Sequence, residues 1–412
     1  MPNFAYDVDA VRAHFPALDA QTGGAAHFDG PGGTQTPAVV AGAMFDLMTG
    51  PLSNRWTGTQ AERNAEAAVQ NARSALADLL AADAQGIIFG RSMTQLTFDL
   101  ARTMAKNWGP GDEVIVSRLD HDANIRPWII AAEGVGASVK WAEFDTATSE
   151  LDPTAISNLL TERTKLVAVT AASNLIGTMP DMRAIADLVH HTEAKLFVDG
   201  VHYTAHALVD FAALGADFYA CSPYKFLGPH CGVVAGKVEL LERLSPDKLL
   251  PATNDVPERF ELGTLAYELM AGTTAAVNFL ADLVPITTPN TASAPTRRQR
   301  LLNSLAQLEH HEDHLSESIE TGIAELPGAT IHSRATRRTP TLLVTFAGHD
   351  PAVISHHLAQ RGVNAPAGSF YALEASLALG LGDAGGLRIG LAPYTNDDDV
   401  DRLLAGLRSA LA

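Results

Sequence analysis

The chain has 412 residues, of which 46% are hydrophobic, and its formal net charge at pH 7 is -18. A chain of this length and composition can build a full hydrophobic core, and we expect two packed domains. The negative charge disfavours binding to nucleic acid or to an anionic membrane surface, so small charged metabolites are better candidates as partners. No apolar run approaches the ~20 residues of a membrane helix, and the first residues show no basic stretch followed by an apolar one. We therefore expect a soluble protein without a targeting segment.

Only two cysteines are present, Cys221 and Cys231. Two cysteines give no disulfide framework, and both are expected in packed core on either side of a lysine-containing loop. This usage is typical of a reducing compartment. The sequence predicts a cytoplasmic location and no metal site.

Two predicted strands each deliver a charged group at their carboxyl ends. The apolar run 196–198 ends in Asp199, and the run 218–221 leads into Lys225. A lysine just past a buried strand is partly desolvated, which lowers its pKa and makes the amine a nucleophile able to hold a carbonyl cofactor as a Schiff base. Pyridoxal phosphate also needs a carboxylate beside its pyridinium nitrogen. Asp199 and Lys225 fit these two roles together, although each alone is also explained as a helix cap or a solvated loop residue.

The N-terminal third contains further polar segments before and after predicted elements. A short helix is predicted over 8–15. The glycines of residues 27–34 allow close backbone approach to a ligand, although a plain tight turn would use the same residues. Residues 53–58 either gate a substrate or form a surface loop ahead of a helix predicted from Gln60 to Leu80. A strand at 86–90 is followed by a helix whose first turn holds Ser92, Met93 and Thr94. Such a helix start suits a phosphate group, and a simple N-cap explains the two hydroxyls as well.

Strands predicted near residues 87, 114, 137, 167, 197 and 218 alternate with helices, which indicates an α/β fold with a doubly wound, mostly parallel sheet. Sites in such sheets lie at the carboxyl ends of the strands. A strand at 231–236 closes the sheet, and an irregular linker is predicted at 285–296. A helix over 298–326 and strands at 329–331 and 341–346 indicate a small α/β domain. We predict an N-terminal segment 1–25 that packs with the small domain, a large domain 26–285 and a small C-terminal domain 286–412.

Several of these segments, in this order, resemble the class V aminotransferase family of fold-type-I pyridoxal-phosphate enzymes, and within it the cysteine desulfurase and selenocysteine lyase branch. The resemblance runs from residues 28–34 to residues 387–391. It implies pyridoxal 5'-phosphate as the cofactor and a large domain with a seven-stranded type of sheet. It also implies a homodimer with composite active sites that acts on an amino-acid substrate.

The resemblance assigns a role to each candidate residue. His121, in a His-x-Ala-Asn-Ile-x-Pro-Trp pattern, is the residue that stacks on the pyridine ring and a candidate proton shuttle, so that Lys225, His121 and Asp199 are the catalytic set. Arg388 clamps the substrate α-carboxylate, for which guanidinium geometry is suited. Asn174 and His202 match positions near the cofactor's phenolic oxygen, yet either is also explained as a turn residue. The cofactor-binding residues are Ser92, Met93, Thr94, His121, Asn174, Asp199, His202, Ser222, Tyr224, Lys225 and Thr264, of which Thr264 reaches the phosphate of the partner subunit.

The loop before Arg388 departs from the family pattern. Cysteine desulfurases carry a cysteine there that attacks the substrate sulfur, whereas residues 361–372 of this chain contain none and Tyr371 falls at or near that position. We therefore predict C–S cleavage by β-elimination on a cysteine-type or other β-substituted amino acid, with Asn174, Tyr371 and Arg388 facing the substrate. Tyr371 either protonates the departing sulfur or walls the pocket. Decarboxylation-linked oxidative deamination, epimerisation, transamination and a non-catalytic cofactor-binding scaffold are the alternatives.

Overall fold

The computed structural model of the protein describes residues 6–19, 24–286 and 294–412. Seven strands, numbered with all other elements along the chain, form the central sheet: β2 (Ile87–Gly90), β3 (Glu113–Ser117), β4 (Ser138–Ala142), β5 (Thr164–Thr170), β6 (Lys195–Asp199), β7 (Phe218–Cys221) and β8 (Gly232–Gly236). Their order across the sheet is β2-β8-β7-β6-β5-β3-β4. Strand β8 runs antiparallel to both of its neighbours, β2 and β7, and the other neighbouring strands of this sheet pair in parallel. The predicted mostly parallel sheet is confirmed, and segment 231–236 forms a strand between β2 and β7.

Helices cover both faces of this sheet, as the near-continuous apolar strands require. They are α2 (Ala38–Thr49), α3 (Gln60–Leu80), α4 (Met93–Ala105), α5 (Arg126–Gly134), α6 (Pro153–Ser157), α7 (Met182–Val189), α8 (Tyr203–His206), α9 (Phe211–Leu214), α10 (Val238–Leu241) and α11 (Tyr267–Ala281). Alternate residues of β5 face opposite cores: Val167 and Val169 join the core with α3, α7 and α11, whereas Leu166 and Ala168 join the core with α4 and α5. This two-residue period is that of a strand buried on both sides.

The helix predicted from Gln60 to Leu80 has those bounds in the structure. Thr59 and Glu62 form a capping box at its start, in which the Thr59 hydroxyl accepts from the Glu62 N–H and the Glu62 carboxylate accepts from the Thr59 N–H. Such reciprocal bonds satisfy two otherwise unpaired backbone donors. The helix predicted over 8–15 is shorter, because α1 (Val8–Arg12) ends before Pro16, which begins a separate 3-10 turn.

The C-terminal part contains two small sheets and four helices. Its elements are α12 (Arg297–Ala324), β9 (Ala329–Ile331), β10 (Thr341–Phe346), α13 (Pro351–Ala359), β11 (Val363–Asn364), β12 (Ala367–Gly368), α14 (Leu373–Ala378), β13 (Gly386–Gly390) and α15 (Asp397–Leu411), and β11 pairs with β1 (Ala26–His27). The four-stranded sheet is antiparallel, in the order β12-β13-β10-β9. Helix α12 packs Leu301 and Leu305 into a core of the central sheet and Leu315 and Ile319 into the C-terminal core, so it connects the two.

Residues 287–293 of the predicted linker lie outside the described residues. The predicted division into an N-terminal segment, a large and a small domain stays a prediction. Across the part of the chain that the structure describes, no helix is both long and apolar enough to span a lipid bilayer.

Candidate active site

A cavity of about 680 Å³ lies at the carboxyl edge of the central sheet, between that edge and the C-terminal part. The strands β3, β5, β6 and β7 are parallel neighbours, so the residues that follow them meet at one edge. All predicted site residues except one lie on the cavity wall: Ser92, Met93, Thr94, His121, Asn174, Asp199, His202, Ser222, Tyr224, Lys225, Tyr371 and Arg388. The exception is Thr264, which is exposed and outside the cavity.

Lys225 is the amine of this cavity. Its side chain is 8% exposed, and its Nζ donates a hydrogen bond to the carbonyl of Pro31. Burial first, and then the positive charge of Arg388, lower the pKa of Lys225 to about 7, against the opposing attraction of Asp29 and Asp199. A large fraction of this amine is therefore neutral near pH 7, which is what a nucleophile or a general base requires.

Asp199 is the last residue of β6 and is buried. Burial raises the pKa of Asp199 to about 6, although the Val201 N–H and the charge of Lys225 favour its ionised form. The Val201 N–H donates to its Oδ1 at 2.9 Å. The side chain makes no ion pair within the described residues, so the carboxylate retains acceptor capacity for a cationic ligand atom.

His121 follows β3 and is held in one tautomer. The Ala123 N–H donates to His121 Nδ1 at 3.0 Å, so Nδ1 carries the lone pair and the neutral ring has its proton on Nε2. Burial, followed by the charges of Lys225 and Arg388, lowers the pKa of His121 to about 4. The ring lies 5.5 Å, centroid to centroid, from the ring of Tyr371. His121 is thus a neutral aromatic surface with one ring N–H.

Two further residues, His202 and Asn174, connect the cavity to the C-terminal part. His202 Nε2 lies 2.8 Å from the Thr339 hydroxyl and 3.0 Å from the Thr341 hydroxyl. Burial, then the neighbouring His206, lower the pKa of His202 well below its usual value. Asn174 Nδ2 donates to the carbonyl of Phe370 at 3.0 Å. The loops after β5 and β6 are therefore bonded to two segments of the C-terminal part, at residues 339–341 and at residue 370.

Arg388, in the middle of β13, is a buried cation with two partners. Its Nη2 donates to Asp29 Oδ1 at 2.6 Å, and its Nη1 donates to the Asn174 carbonyl at 3.1 Å. The guanidinium carbon lies 3.6 Å from the centre of the Phe370 ring. Burial lowers the pKa of Arg388, and Asp29 opposes that shift. Its Nε has no hydrogen-bond partner within the described residues.

The start of α4 contributes the hydroxyl-bearing residues Ser92 and Thr94 to the cavity wall. Ser92 is the N-cap, because its hydroxyl accepts from the Gln95 N–H at 3.1 Å, while Thr94 lies in the first turn. The predicted N-cap explanation of Ser92 is thus observed, and the helix start still faces the cavity. A Cβ at Gly232 would lie 2.1 Å from the Ser92 carbonyl carbon, so only glycine lets α4 begin this close to β8.

Arg126 and two residues of segment 53–58, Arg55 and Trp56, differ in their position relative to the cavity. Arg126 lies on the cavity wall and bonds Asp122 at 3.0 Å. Arg55 instead pairs with Glu66 and Glu258, and Trp56 is 71% exposed; neither lies on the wall. Their surface explanation is the one that the structure supports within this chain.

Sequence reasoning missed several residues of the site. Asp29 pairs with Arg388, and the ring of Phe370 covers the guanidinium of Arg388. Thr170 lines the cavity, and Asp120 is buried directly before His121. Asp29 could have been found from the sequence, because it is an acidic residue within segment 27–34, which was predicted to approach a ligand. Asp120 could have been found because it directly precedes His121. Phe370 and Thr170 carried none, because an aromatic residue in a loop and a hydroxyl at a strand end are common in any α/β protein.

The sequence profile of the Aminotransferase class-V family matches residues 26–303 and 288–403. The chain belongs to the class V aminotransferase family. A protein of Gibberella zeae called aminotransferase-like protein FGM3 is 31% identical over 425 residues, 100% of each chain. A cysteine desulfurase of Dickeya dadantii is 30% identical over 421 residues, 98% of this chain and 96% of that protein. The crystal structure of the Escherichia coli cysteine desulfurase CsdA (S-sulfonic acid) superposes with a TM-score of 0.85, at 28% identity and 98% coverage of both chains.

As a class V aminotransferase, the chain is a pyridoxal-phosphate-dependent enzyme of fold type I, which confirms the predicted family, fold and cofactor. The cavity fits this cofactor on its own chemistry. It combines a lysine whose pKa is lowered to about 7, a buried carboxylate, a neutral imidazole and a helix start with hydroxyls. Three of its residues, Asn174, His202 and Arg388, also keep a buried polar atom without a partner among the described residues. Unpaired buried polar atoms are rare in proteins and are frequent where a ligand completes the site.

Proposed function

We propose that this member of the class V aminotransferase family cleaves the C–S bond of a cysteine-type or other β-substituted amino acid by β-elimination, without an enzymic thiol. One observation carries the proposal: the described cavity wall holds the amine of Lys225 but no cysteine. Both cysteines are free and buried, and burial raises the pKa of each thiol. A thiolate nucleophile is therefore missing from this site.

The cofactor would be held by the residues that the resemblance assigns to it. Lys225 would bind it covalently, Asp199 would pair with its ring nitrogen, and His121 would pack on its ring. The start of α4, with Ser92 and Thr94, suits its phosphate, because a helix start offers N–H donors and a partial positive charge. When bound, pyridoxal phosphate supplies an electron sink that stabilises negative charge at the substrate Cα.

The chain's own groups supply binding and proton transfer. Arg388 would bind the substrate carboxylate, and its unpaired Nε offers a donor for this purpose. The neutral form of Lys225, which is well populated near pH 7, would take the proton from Cα. Departure of the β-substituent then needs a leaving group such as a thiolate, and no group of the protein has to accept the sulfur.

Tyr371 is assigned to the wall of the pocket. Its side chain is 76% exposed, its φ is 59°, and its ring lies against His121. An exposed phenol in contact with an imidazole ring can shield the site whatever its hydroxyl does. The wall role therefore requires the ring of Tyr371 and not its hydroxyl.

A product assay tests the proposal. Purified protein is incubated with L-cysteine, L-selenocysteine or an S-alkyl-cysteine, and sulfide or selenide, thiol, pyruvate and alanine are measured. Pyruvate together with thiol is the expected result. Alanine with released sulfur or selenium would overturn β-elimination and favour the activity named for the desulfurase relatives, and a spectral change without these products would favour other chemistry at Cα.

We also propose that the enzyme is a homodimer with composite active sites. Thr264 lies outside the cavity of its own chain, and α2 exposes the apolar side chains of Val39, Phe45 and Met48, which is unusual for a surface without a partner. In a homodimer, Thr264→Ala lowers cofactor affinity, measured by dialysis and absorbance. Sedimentation of the full chain as a monomer would contradict this proposal. The cytoplasmic location stays a prediction.

A further inference from the structure

The cavity wall carries one basic side chain that the mechanism above does not use. Apart from histidines, the described part of the wall holds three basic residues, Lys225, Arg388 and Arg126. Lys225 is assigned to the cofactor and Arg388 to the substrate carboxylate. Arg126 has no assignment, although it stands on the wall of the same cavity. A basic residue without a role in a binding cavity is a candidate contact for a further part of the ligand.

Arg126 lies nearer to solvent than Arg388. The side chain of Arg126 is 44% exposed, whereas that of Arg388 is 2% exposed. The turn that precedes Arg126 is bonded to the exposed Tyr371, because the Asp122 N–H donates to the Tyr371 carbonyl at 2.8 Å. Arg388 and Arg126 therefore mark an inner and an outer position of the cavity, and the outer one lies at its mouth.

The guanidinium of Arg126 has donors to spare. Its Nη2 donates to Asp122 Oδ1 at 3.0 Å, and the structure records no other hydrogen bond of this group within the described residues. That bond occupies one of the five N–H donors of a guanidinium. A half-exposed ion pair between residues four apart contributes little to stability. The pair with Asp122 thus leaves Arg126 able to bind a ligand, and it gives the fold little reason to keep an arginine here.

The local structure does not call for a positive charge at this position either. Arg126 is the first residue of α5, a helix of nine residues. A helix start carries a partial positive charge, so a cation in the first turn is disfavoured and an acidic or neutral residue would serve the helix better. Neither the helix nor the ion pair accounts for the arginine, whereas its place on the cavity wall does.

The charge of the whole chain adds to this argument. With a net charge of -18, the protein repels anions at a distance, and a substrate with a second negative group needs a local cation to offset that repulsion. The other two cations of the wall are engaged, since Asp29 pairs with Arg388 and Lys225 is assigned to the cofactor. Arg126 is the cation that remains for such a group.

We propose that Arg126 is a specificity-determining residue that binds an anionic group, such as a carboxylate, at the far end of the substrate's β-substituent. The substrate class is then a cysteine S-conjugate with two acidic groups, of which Arg388 binds the α-carboxylate and Arg126 the distal one. Guanidinium groups bind carboxylates through charge-assisted hydrogen bonds. The sulfur-bearing nature of this substrate rests on the proposed function, but the preference for a second negative group does not.

Binding to the holoenzyme tests the preference without any reaction. The absorbance of the bound cofactor is titrated with L-2-aminoadipate and its side-chain amide, and with L-2-aminopimelate and its side-chain amide. Each pair differs in charge but hardly in shape, and none of the four carries a leaving group at Cβ. In the double variant Asp122→Asn/Arg126→Gln, which keeps the net charge of the protein, the preference for the acid over the amide should fall by about tenfold at one chain length or both.

The chain offers a matched control in helix α7. Arg183 also lies in the first turn of its helix, pairs with Asp187 four residues away at 2.7 Å, and is not on the cavity wall. The double variant Arg183→Gln/Asp187→Asn should keep the wild-type preference. Asp122→Asn alone, which frees Arg126, should increase the preference. The difference between the wild type and Asp122→Asn/Arg126→Gln should shrink as the ionic strength rises from about 0.01 M to about 1 M, because salt screens a half-exposed pair.

S-Carboxymethyl-L-cysteine and S-carbamoylmethyl-L-cysteine extend the test to turnover, with kcat/KM expected to follow the same preference. The same preference in the wild type and in Asp122→Asn/Arg126→Gln would overturn the proposal. Weaker cofactor binding in that variant with an unchanged preference would also overturn it and would assign Arg126 to the cofactor phosphate. A preference that depends on Arg126 in the titrations, without pyruvate and thiol from the S-conjugates, would support the role of Arg126 and overturn the proposed C–S cleavage.

Discussion

The two walls of the cavity differ in the chemical groups that they present. The wall at the central sheet presents Lys225, Asp199 and His121, three buried groups whose pKa values are each shifted by burial. The opposite wall presents Arg388 and the turn of Phe370 and Tyr371, where a cation is paired and covered by an aromatic ring. The first wall is suited to proton transfer and covalent chemistry, and the second to binding and selection.

The second wall is also the strained one. Phe370 and Tyr371 are consecutive non-glycine residues with φ of 52° and 59°. Such left-handed residues cost about 1–3 kcal/mol each. The turn is attached to the first wall, since Asn174 Nδ2 donates to the Phe370 carbonyl and the Asp122 N–H donates to the Tyr371 carbonyl at 2.8 Å. These bonds and the contact with Arg388 offset the cost.

The largest effect should follow a change in the first wall. Lys225→Ala removes the amine that would bind the cofactor and take the Cα proton, so turnover should fall by about 10³-fold or more. The rate of product formation measures the loss. The control is Lys106→Ala, which removes an exposed lysine that is not on the cavity wall and is paired with Asp247. Similar turnover in Lys225→Ala and the wild type would show that the amine of Lys225 is not needed for the reaction and would contradict the proposed role of the first wall.

A smaller effect is expected from a conservative change in the second wall. Arg388→Lys keeps the positive charge but loses the planar guanidinium, and the hydrogen bonds to a carboxylate that depend on it are worth about 1.5–3 kcal/mol. We expect kcat/KM to fall by about 10–100-fold, mostly through KM. The exposed Arg334→Lys serves as the control. A fall in kcat alone would show that Arg388 acts on the chemical step and would contradict the assignment of the second wall to substrate binding.

The sequence predicted the first wall far better than the second. The strands before Asp199 and Lys225 are short, continuous apolar runs, and parallel strands bring their ends to one edge, so local pattern and topology agree. The contacts of Arg388 depend on how the C-terminal part packs against residue 29 and on a turn with two left-handed residues at 370 and 371. Neither leaves a local pattern, because phenylalanine and tyrosine rarely adopt this conformation. Helix α3 illustrates the favourable case, with an amphipathic run and a capping box that fixes its start.

The walls should also be electrostatically coupled. Arg388 is the second cause, after burial, that lowers the pKa of Lys225 to about 7. Arg388→Gln removes this positive charge and releases Asp29, so the pKa of Lys225 should rise by about one unit. In cofactor-free protein, the rate at which an amine-specific reagent modifies Lys225 should rise with pH through that pKa. Its midpoint should therefore move to higher pH in Arg388→Gln and stay in place in Arg334→Gln. An unmoved midpoint would mean that burial alone sets this pKa.

The smallest effect separates the two roles considered for Tyr371. If its ring shields the site, Tyr371→Phe keeps the ring and should change turnover by less than about twofold, whereas Tyr371→Ala opens the mouth beside His121 and should cost about tenfold. If its hydroxyl protonates the leaving sulfur, Tyr371→Phe should lose about 10²-fold or more, and the loss should shrink for substrates whose thiol is more acidic. Turnover of a series of S-substituted cysteines by both variants distinguishes these patterns. A strong loss in Tyr371→Phe would place a catalytic group on the second wall, and the division between a wall for chemistry and a wall for selection would no longer hold.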